Sequence, residues 1–241
     1  MAEAFQAVLE SVLSPECYHA YFHQFDVLNG DCGRLLISKA LSYGILLGAL
    51  GLKIPQILTL LKSKSSKGVS FELFYIELVV CAIAIVYAMN SGYPFSTYGE
   101  TVFIMVQNIV IILLLHLYSN KLNVPFFLGS LCFFALFGMM WVGAITHEQV
   151  SWIKGTLGIP LGVASRIPQI YKNFRDKNVA SLSLATFALT VAGASARVFT
   201  TMTETQDMLD VLGYSLSVLV NGIICLQILA YQNTDKKKKQ N

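Results

Sequence analysis

Apolar residues in this chain come in long blocks rather than in alternation. Seven blocks can be read, at about 35–61, 71–90, 98–118, 124–143, 151–174, 180–202 and 208–232. Each is about 20 residues long, the length at which an α-helix crosses the hydrocarbon core of a bilayer. Barrel strands would be shorter and would alternate, and an open sheet cannot satisfy its backbone in lipid. The pattern therefore predicts an all-α membrane protein with seven transmembrane helices. The polar segments between blocks set its orientation. Lys62, Lys64 and Lys67 lie in one, Lys121 in another, and Lys172, Arg175 and Lys177 in a third, while Lys236–Lys239 lie in the tail. The intervening segments "SGYPFSTYG", "THEQV" and "TETQD" hold no Lys or Arg. Basic loops stay cytosolic, so the N-terminus is expected in the lumen or exterior and the C-terminus in the cytosol. The opening "MAEAFQAVLESVL" has no basic n-region, so no cleavable signal peptide is expected there. Its Phe5, Val8, Leu9, Val12 and Leu13 follow helical spacing and predict a short amphipathic helix on the membrane.

The blocks repeat. With the chain shifted by 113 residues, Lys53 meets Arg166, Pro55 meets Pro168, Gln56 meets Gln169, Ser70 meets Ser183 and Asn108 meets Asn221. Each repeat holds three blocks, which leaves 124–143 as a connector. The predicted plan is 3+1+3. A luminal segment (1–34) precedes the first triple (35–123), a connector with its luminal loop (124–150), the second triple (151–232) and a basic tail (233–241). One extra crossing between the triples gives both the same orientation, with a shared axis along the membrane normal and a ligand path at their interface. A proline inside such a helix frees a carbonyl and bends the rod. Pro55 and Pro168, at matched places, are therefore expected to act as hinges.

Composition sharpens this picture. The chain of 241 residues is 55% hydrophobic and only 13% charged, against about a quarter charged in soluble domains. Ionisable residues within a span are then functional suspects. Lys53 and Glu77 fall at similar depths, roughly 9–12 Å from the cytosolic ends of their helices, and are expected to pair as a structural or gating element. The position matching Glu77 in the second repeat is Thr190, so Arg166 lacks that partner. Its planar guanidinium suits a phosphate; snorkelling, or bonding to the carbonyls freed near Pro168, is the alternative. Arg197, near the luminal end of its block, either serves the same phosphate or pairs with Glu100 or Glu204. Cys17 and Cys32 fall in the segment expected to face an oxidising lumen, where a disulfide between them is one reading and two free thiols the other. His19 and His23 have metal-like spacing but no accompanying ligand set, so no metal is expected. No nucleophile elbow, zinc-hydrolase motif, phosphate loop or paired-aspartate motif occurs, which points away from an enzyme and from a cofactor. No feature suggests nucleic acid.

The paired Pro-Gln dipeptides resemble the PQ-loop family, which includes the SWEET sugar transporters, cystinosin and lysosomal cationic amino-acid exporters. "LKIPQILTLLKSKSSKGVSFELFYIELV", "YPFSTYGETVF" and "GASARVFTTMTETQD" resemble the mannose-P-dolichol utilisation branch of that family. That resemblance implies an endoplasmic-reticulum membrane protein needed for the use of dolichyl-phosphate-mannose and dolichyl-phosphate-glucose. In SWEET-like relatives, asparagines on the third helix of each triple bind sugar hydroxyls. This suggests a sugar-binding role for Asn108 and Asn221, with Gln56, Gln169, Gln107 and Gln227 as further polar candidates; helix–helix hydrogen bonding is the alternative for the asparagines. Lys238 and Lys239, fourth and third from the end, fit a dilysine retrieval signal read by coat proteins. Three functions follow as expectations: leaflet transfer of the lipid-linked sugar, presentation of that lipid to luminal glycosyltransferases, or transport of a small free solute.

Overall fold

A computed structural model describes residues 14–22, 24, 30–66, 69–177, 179 and 183–238, with side chains to residue 231. The expected amphipathic helix at Phe5–Leu13, His23, the side chain of Lys238 and all of Lys239 lie outside the described residues. Helix α1 (Pro15–Phe22) precedes α2 (Gly30–Gly51) and α3 (Ile54–Ser63). Then come α4 (Phe71–Asn90), α5 (Phe95–Tyr118) and α6 (Val124–Trp141). After these, α7 (His147–Ile153), a π-helical turn (Lys154–Gly158), α8 (Ile159–Ala164) and α9 (Ile167–Asp176) follow almost without interruption. Helices α10 (Leu184–Glu204) and α11 (Met208–Lys238) complete the fold.

Six stretches among the described residues are long and apolar enough to cross a membrane: Gly30–Ser63, Phe71–Asn90, Phe95–Tyr118, Val124–Trp141, Leu184–Glu204 and Met208–Tyr231. The block expected at 151–174 is not one of them. It is built as α7, the π turn, α8 and α9, because Gly155, Gly158, Pro160, Gly162 and Pro168 interrupt it. Three limits also differ from the sequence pattern. Helix α2 begins at Gly30, ahead of the apolar block at 35; α5 begins at Phe95, because Pro94 sits at its N-cap; and α11 runs on into the basic tail.

The 113-residue offset recurs in the backbone. The starts of α3, α4 and α5 correspond to those of α9, α10 and α11, and both short helices end at a lysine with left-handed φ, Lys64 and Lys177, each at 47°. In the first half α5 packs against α2, α3 and α4; in the second α11 packs against α8, α9 and α10. Helices α5 and α11 are thus central in their halves. The halves meet reciprocally: α2 packs on α10, and α4 on α7, the π turn and α8. First-against-second and second-against-first is the pairing that a two-fold relation between the halves requires.

Local signals set the other boundaries. Asn123 Oδ1 accepts from the Phe126 amide at the start of α6, and Thr146 and Gln149 form a reciprocal capping box at α7. Cys17 and Cys32 are disulfide-bonded, with Cα atoms 5.3 Å apart, which ties α1 to the first turn of α2.

Candidate functional site

Both Pro-Gln motifs open a helix. The chain leaves α2 at Gly51 and re-enters helix at Ile54, and it leaves α8 at Ala164 and re-enters at Ile167. Pro55 and Pro168 therefore sit in a first turn, where a missing N–H costs no hydrogen bond. The prolines do not bend continuous rods, as expected from sequence; each restarts a helix after a two-residue break. Lys53 and Arg166 are the N-cap residues, and neither side chain caps. A cation is disfavoured at the positive end of a helix dipole, so each needs a partner elsewhere.

Lys53 has one. Its Nζ lies 2.5 Å from Glu77 Oε2 and 5.1 Å from the Phe74 ring centroid. The polar backbone exposed by the break is closed by Gln107, from α5. Gln107 Oε1 accepts from the Lys53 amide at 2.8 Å, and Gln107 Nε2 donates to Ala49 O at 2.8 Å. One amide thus spans the gap, and Gln107 is not free to hold a sugar.

Arg166 differs. It is exposed, and no described hydrogen bond or ion pair engages its guanidinium. The position matching Gln107 is Val220, and the second break closes on its own backbone instead, with the Arg166 amide donating to Val163 O at 3.0 Å. The polar network here lies further along: Gln169 Nε2 donates to Asn173 Oδ1 (2.6 Å), Asn173 Nδ2 to Gln227 Oε1 (3.0 Å), and Gln227 Nε2 to Ile170 O (3.0 Å). Gln169 and Gln227 are committed to this network. Gln56 is half-buried, with no described side-chain bond.

At the end whose connecting loops hold no Lys or Arg, charges cross between the halves. Glu204 of α10 accepts from Ser38 Oγ (2.6 Å), Lys39 Nζ (2.7 Å) and Ser42 Oγ (3.1 Å), all on α2. Arg197, expected either to take phosphate or to find an acid, pairs with Glu100 and approaches Ser96 O at 3.4 Å; it is 3% exposed. Of the two alternatives read from the sequence, the structure shows the ion pair with an acid, Glu100. Asp207 accepts from Tyr87 (2.5 Å) and Tyr93 (2.7 Å), and its other oxygen caps the Leu209 and Asp210 amides. Burial works to raise the Asp207 pKa. The two tyrosine hydroxyls, the Asp210 amide and the nearby Lys154 charge outweigh it and hold the carboxyl below its ordinary value. Burial and the same carboxylate push Tyr93 up to about 12. Lys154, on the π turn, bonds Asp210 at 2.5 Å and stands 3.6 Å from the Tyr87 ring centroid. The sequence pattern did not single out Lys39, Lys154 or Asp210. Each lies within or beside an apolar run, and that position was the available signal.

Between these cross-links lies a small cleft with room for about one water molecule. Thr97, Thr101, Asp210 and Tyr214 line it from the two central helices, with Ala88 and Thr201 from α4 and α10. These are matched pairs at the 113-residue offset: Thr97 with Asp210, Thr101 with Tyr214, and Ala88 with Thr201. The cavity therefore straddles the axis relating the halves. Seven residues beyond Thr101 and Tyr214, about 10 Å along each helix and on the same face, are Asn108 and Asn221. They are 0% and 2% exposed. Both Asn108 amide atoms and Asn221 Oδ1 lack a hydrogen-bond partner, while Asn221 Nδ2 donates to Ser217 O. Buried amides left unpaired cost about 1–3 kcal/mol each, so their retention at matched positions points to a ligand that satisfies them.

This chain is 23% identical over 183 residues to human solute carrier family 66 member 3, covering 76% of this chain and 88% of that protein. Its fold matches a solved structure of a eukaryotic SWEET transporter with a TM-score of 0.65, at 13% identity, over 84% of this chain and 98% of the other. The PQ loop repeat matches twice, at residues 37–97 and 150–210, at the same 113-residue offset that relates the two breaks. With just over half of its length in those two matches, the chain belongs to the PQ-loop repeat family of multi-pass helical membrane proteins.

Proposed function

We propose that this protein moves the sugar head group of dolichyl-phosphate-mannose and dolichyl-phosphate-glucose between the leaflets of the endoplasmic-reticulum membrane. The observation that carries the reading is the matched pair Asn108 and Asn221, buried with unsatisfied amides beneath a hydroxyl-lined cavity on the axis between the halves. A hexose supplies both donors and acceptors to such amides. In this reading the chain crosses seven times in a 3+1+3 plan, with residues 147–176 as the broken fifth crossing. The N-terminus is luminal, and the tail is cytosolic with its dilysine signal at Lys238 and Lys239 read by coat proteins. The exposed, uncommitted Arg166 at the second break takes the lipid phosphate near the cytosolic leaflet, while the polyprenyl chain stays in lipid. The relation to a solute carrier and the SWEET-like fold support transport as the general activity.

A second reading, transport of a small free solute, is favoured by one observation: at the axis Arg197 is neutralised by Glu100, and the charged residue lining the cavity is an acid. Purified protein in liposomes with a fluorescent short-chain dolichyl-phosphate-mannose separates the readings. Leaflet exchange above protein-free vesicles is the expected result. Binding without exchange would point to presentation of the lipid to glycosyltransferases. Uptake of free mannose or glucose without lipid exchange would establish the second reading instead.

A further inference from the structure

The small cleft on the axis has a one-sided polarity. Three of its hydroxyls have already given their protons away. Thr97 Oγ1 donates to Pro94 O at 2.8 Å, Thr205 Oγ1 to Thr201 O at 3.3 Å and the Tyr93 hydroxyl to Asp207 at 2.7 Å. Each has only oxygen lone pairs left for the cleft. Asp210, also in the lining, bonds Lys154 through Oδ1, and none of the described hydrogen bonds uses its Oδ2. Thr201 is 7% exposed and lines the cleft, and no described hydrogen bond uses its hydroxyl. Buried polar groups are almost always partnered, so this hydroxyl points to an occupant of the cleft. The surrounding charge has the sign of the lining. Where the halves are joined, four carboxylates (Glu100, Glu204, Asp207 and Asp210) meet three cations (Lys39, Lys154 and Arg197). The acid in excess is Asp207. Its described partners are two tyrosine hydroxyls and two backbone amides, which stabilise its charge without cancelling it.

We infer that this cleft binds one alkali cation, held by Asp210 Oδ2 and the oxygens of Thr97, Thr201, Thr205 and Tyr93. Space, ligand type and charge agree on this class of ligand. The cleft has room for about one water molecule, and a bare sodium ion is no larger. All the available ligands are hard oxygens, the donors that such ions take. A water molecule fits the space too, but it carries no charge and has two protons for four acceptor groups. A cation answers every acceptor at once and balances the four acids against four positive charges. A divalent ion is disfavoured, because its sites gather several carboxylates. Here one carboxylate is available and a lysine already shares it, and no group of three or more His, Cys, Asp or Glu among the described residues is suited to a metal. Tyr93 and Thr97 come from the first half, and Thr201, Thr205 and Asp210 from the second, so the ion fastens one half to the other at this end. The inference does not depend on whether the protein moves a lipid-linked sugar or a free solute.

The test is binding of radioactive sodium to the full-length protein in nanodiscs by scintillation proximity, with thermal stability measured beside it. Sodium chloride is exchanged for N-methylglucamine chloride at constant ionic strength, so that screening of the ion pairs is the same in both salts. Saturable binding and a higher melting midpoint in sodium are expected. Lys154→Met leaves Asp210 unshared, so sodium should bind about tenfold more tightly. A lysine with only a structural role would instead lower stability in both salts and leave sodium affinity unimproved. Thr201→Val removes one oxygen while keeping the side-chain shape, and should weaken sodium about fivefold. Lys154→Met/Asp210→Asn removes the carboxylate without stranding the lysine and should abolish binding. The inference is overturned by an absence of saturable sodium binding to the wild-type protein, or by equal stability in the two salts. Weaker binding in Lys154→Met, or wild-type binding in the double variant, overturns it as well.

Discussion

The two Pro-Gln breaks share their residues, their spacing and their backbone path, yet they are closed in different ways. In the first, Lys53 is neutralised by Glu77, and Gln107 ties the amide after the gap to the carbonyl before it. In the second, Thr190 and Val220 stand where Glu77 and Gln107 would be, and Arg166 is left exposed. About two turns beyond the break the polarity reverses. Leu60 of the first repeat lies in an apolar cluster with Ile111, Leu115 and the partly buried Leu114. Asn173 and Gln227, at the positions matching Leu60 and Leu114, carry the amide network of the second repeat. The lesson is that the motif makes the break, while the surroundings decide how it is closed. The first repeat takes a side chain from its central helix. The second closes on its own backbone, the Arg166 amide donating to Val163 O at 3.0 Å, and leaves its cation exposed.

The largest expected effect comes from the cations. Lys53→Ala leaves Glu77 unpaired at membrane depth and should cost about 3 kcal/mol, the low end for breaking a buried pair, because the Glu77 side chain is 36% exposed. Adding Glu77→Gln should restore thermal stability in nanodiscs. Arg166→Ala should leave stability nearly unchanged and weaken binding of the phosphate-bearing lipid, with Arg166→Lys recovering only part of it. If Arg166→Ala unfolds the protein while Lys53→Ala is silent, the comparison is reversed.

Next in size is the bridge. Gln107→Leu leaves the Lys53 N–H unpaired, while Ala49 O keeps the Leu52 amide, and should cost about 1–2 kcal/mol, with faster amide exchange at Lys53 as its local sign. Arg166, whose amide bonds Val163 O, should exchange at an unchanged rate in the same variant. Unchanged exchange at Lys53 would refute the bracing role.

Smaller again is the amide network. Asn173→Leu alone strands Gln227 and should lower stability by about 1–2 kcal/mol. Asn173→Leu/Gln227→Leu copies the first repeat and should return to within about 1 kcal/mol of wild type. A double variant no more stable than the single would show that the network does more than satisfy itself.

The prolines should have the smallest effect on stability. Pro55→Ala and Pro168→Ala each alter a first-turn residue and should shift folding by under about 1 kcal/mol. Their effect should fall on leaflet exchange, more for Pro168 than for Pro55. Full rescue of glycosylation in null cells by the double variant would remove the hinges from the mechanism.

How much of this was readable from the chain depends on which distances matter. The offset of 113 residues, the paired breaks and the depth match of Lys53 with Glu77 are local or periodic features, and helical rise alone converts spacing into height. Arg197 could be narrowed to Glu100 or Glu204, but choosing between them requires the lateral arrangement of α2, α5 and α10. The structure gives Glu100 to Arg197 and reserves Glu204 for Ser38, Lys39 and Ser42. Gln107 read as a weak sugar ligand because its partners lie 54 and 58 residues away, and no spacing rule reveals them.

By itself, then, the sequence determined the helical membrane class, the two-fold repetition and the matched places of the two Pro-Gln motifs. Those properties arise from hydrophobic block length and residue identity at fixed offsets. Tertiary structure decided that each motif restarts a helix, which break a side chain braces, and which acid answers which base. Each of these depends on which helix faces which: hydrogen bonds and ion pairs act over a few ångströms across helices, and sequence spacing gives height along a helix but not the neighbour beside it.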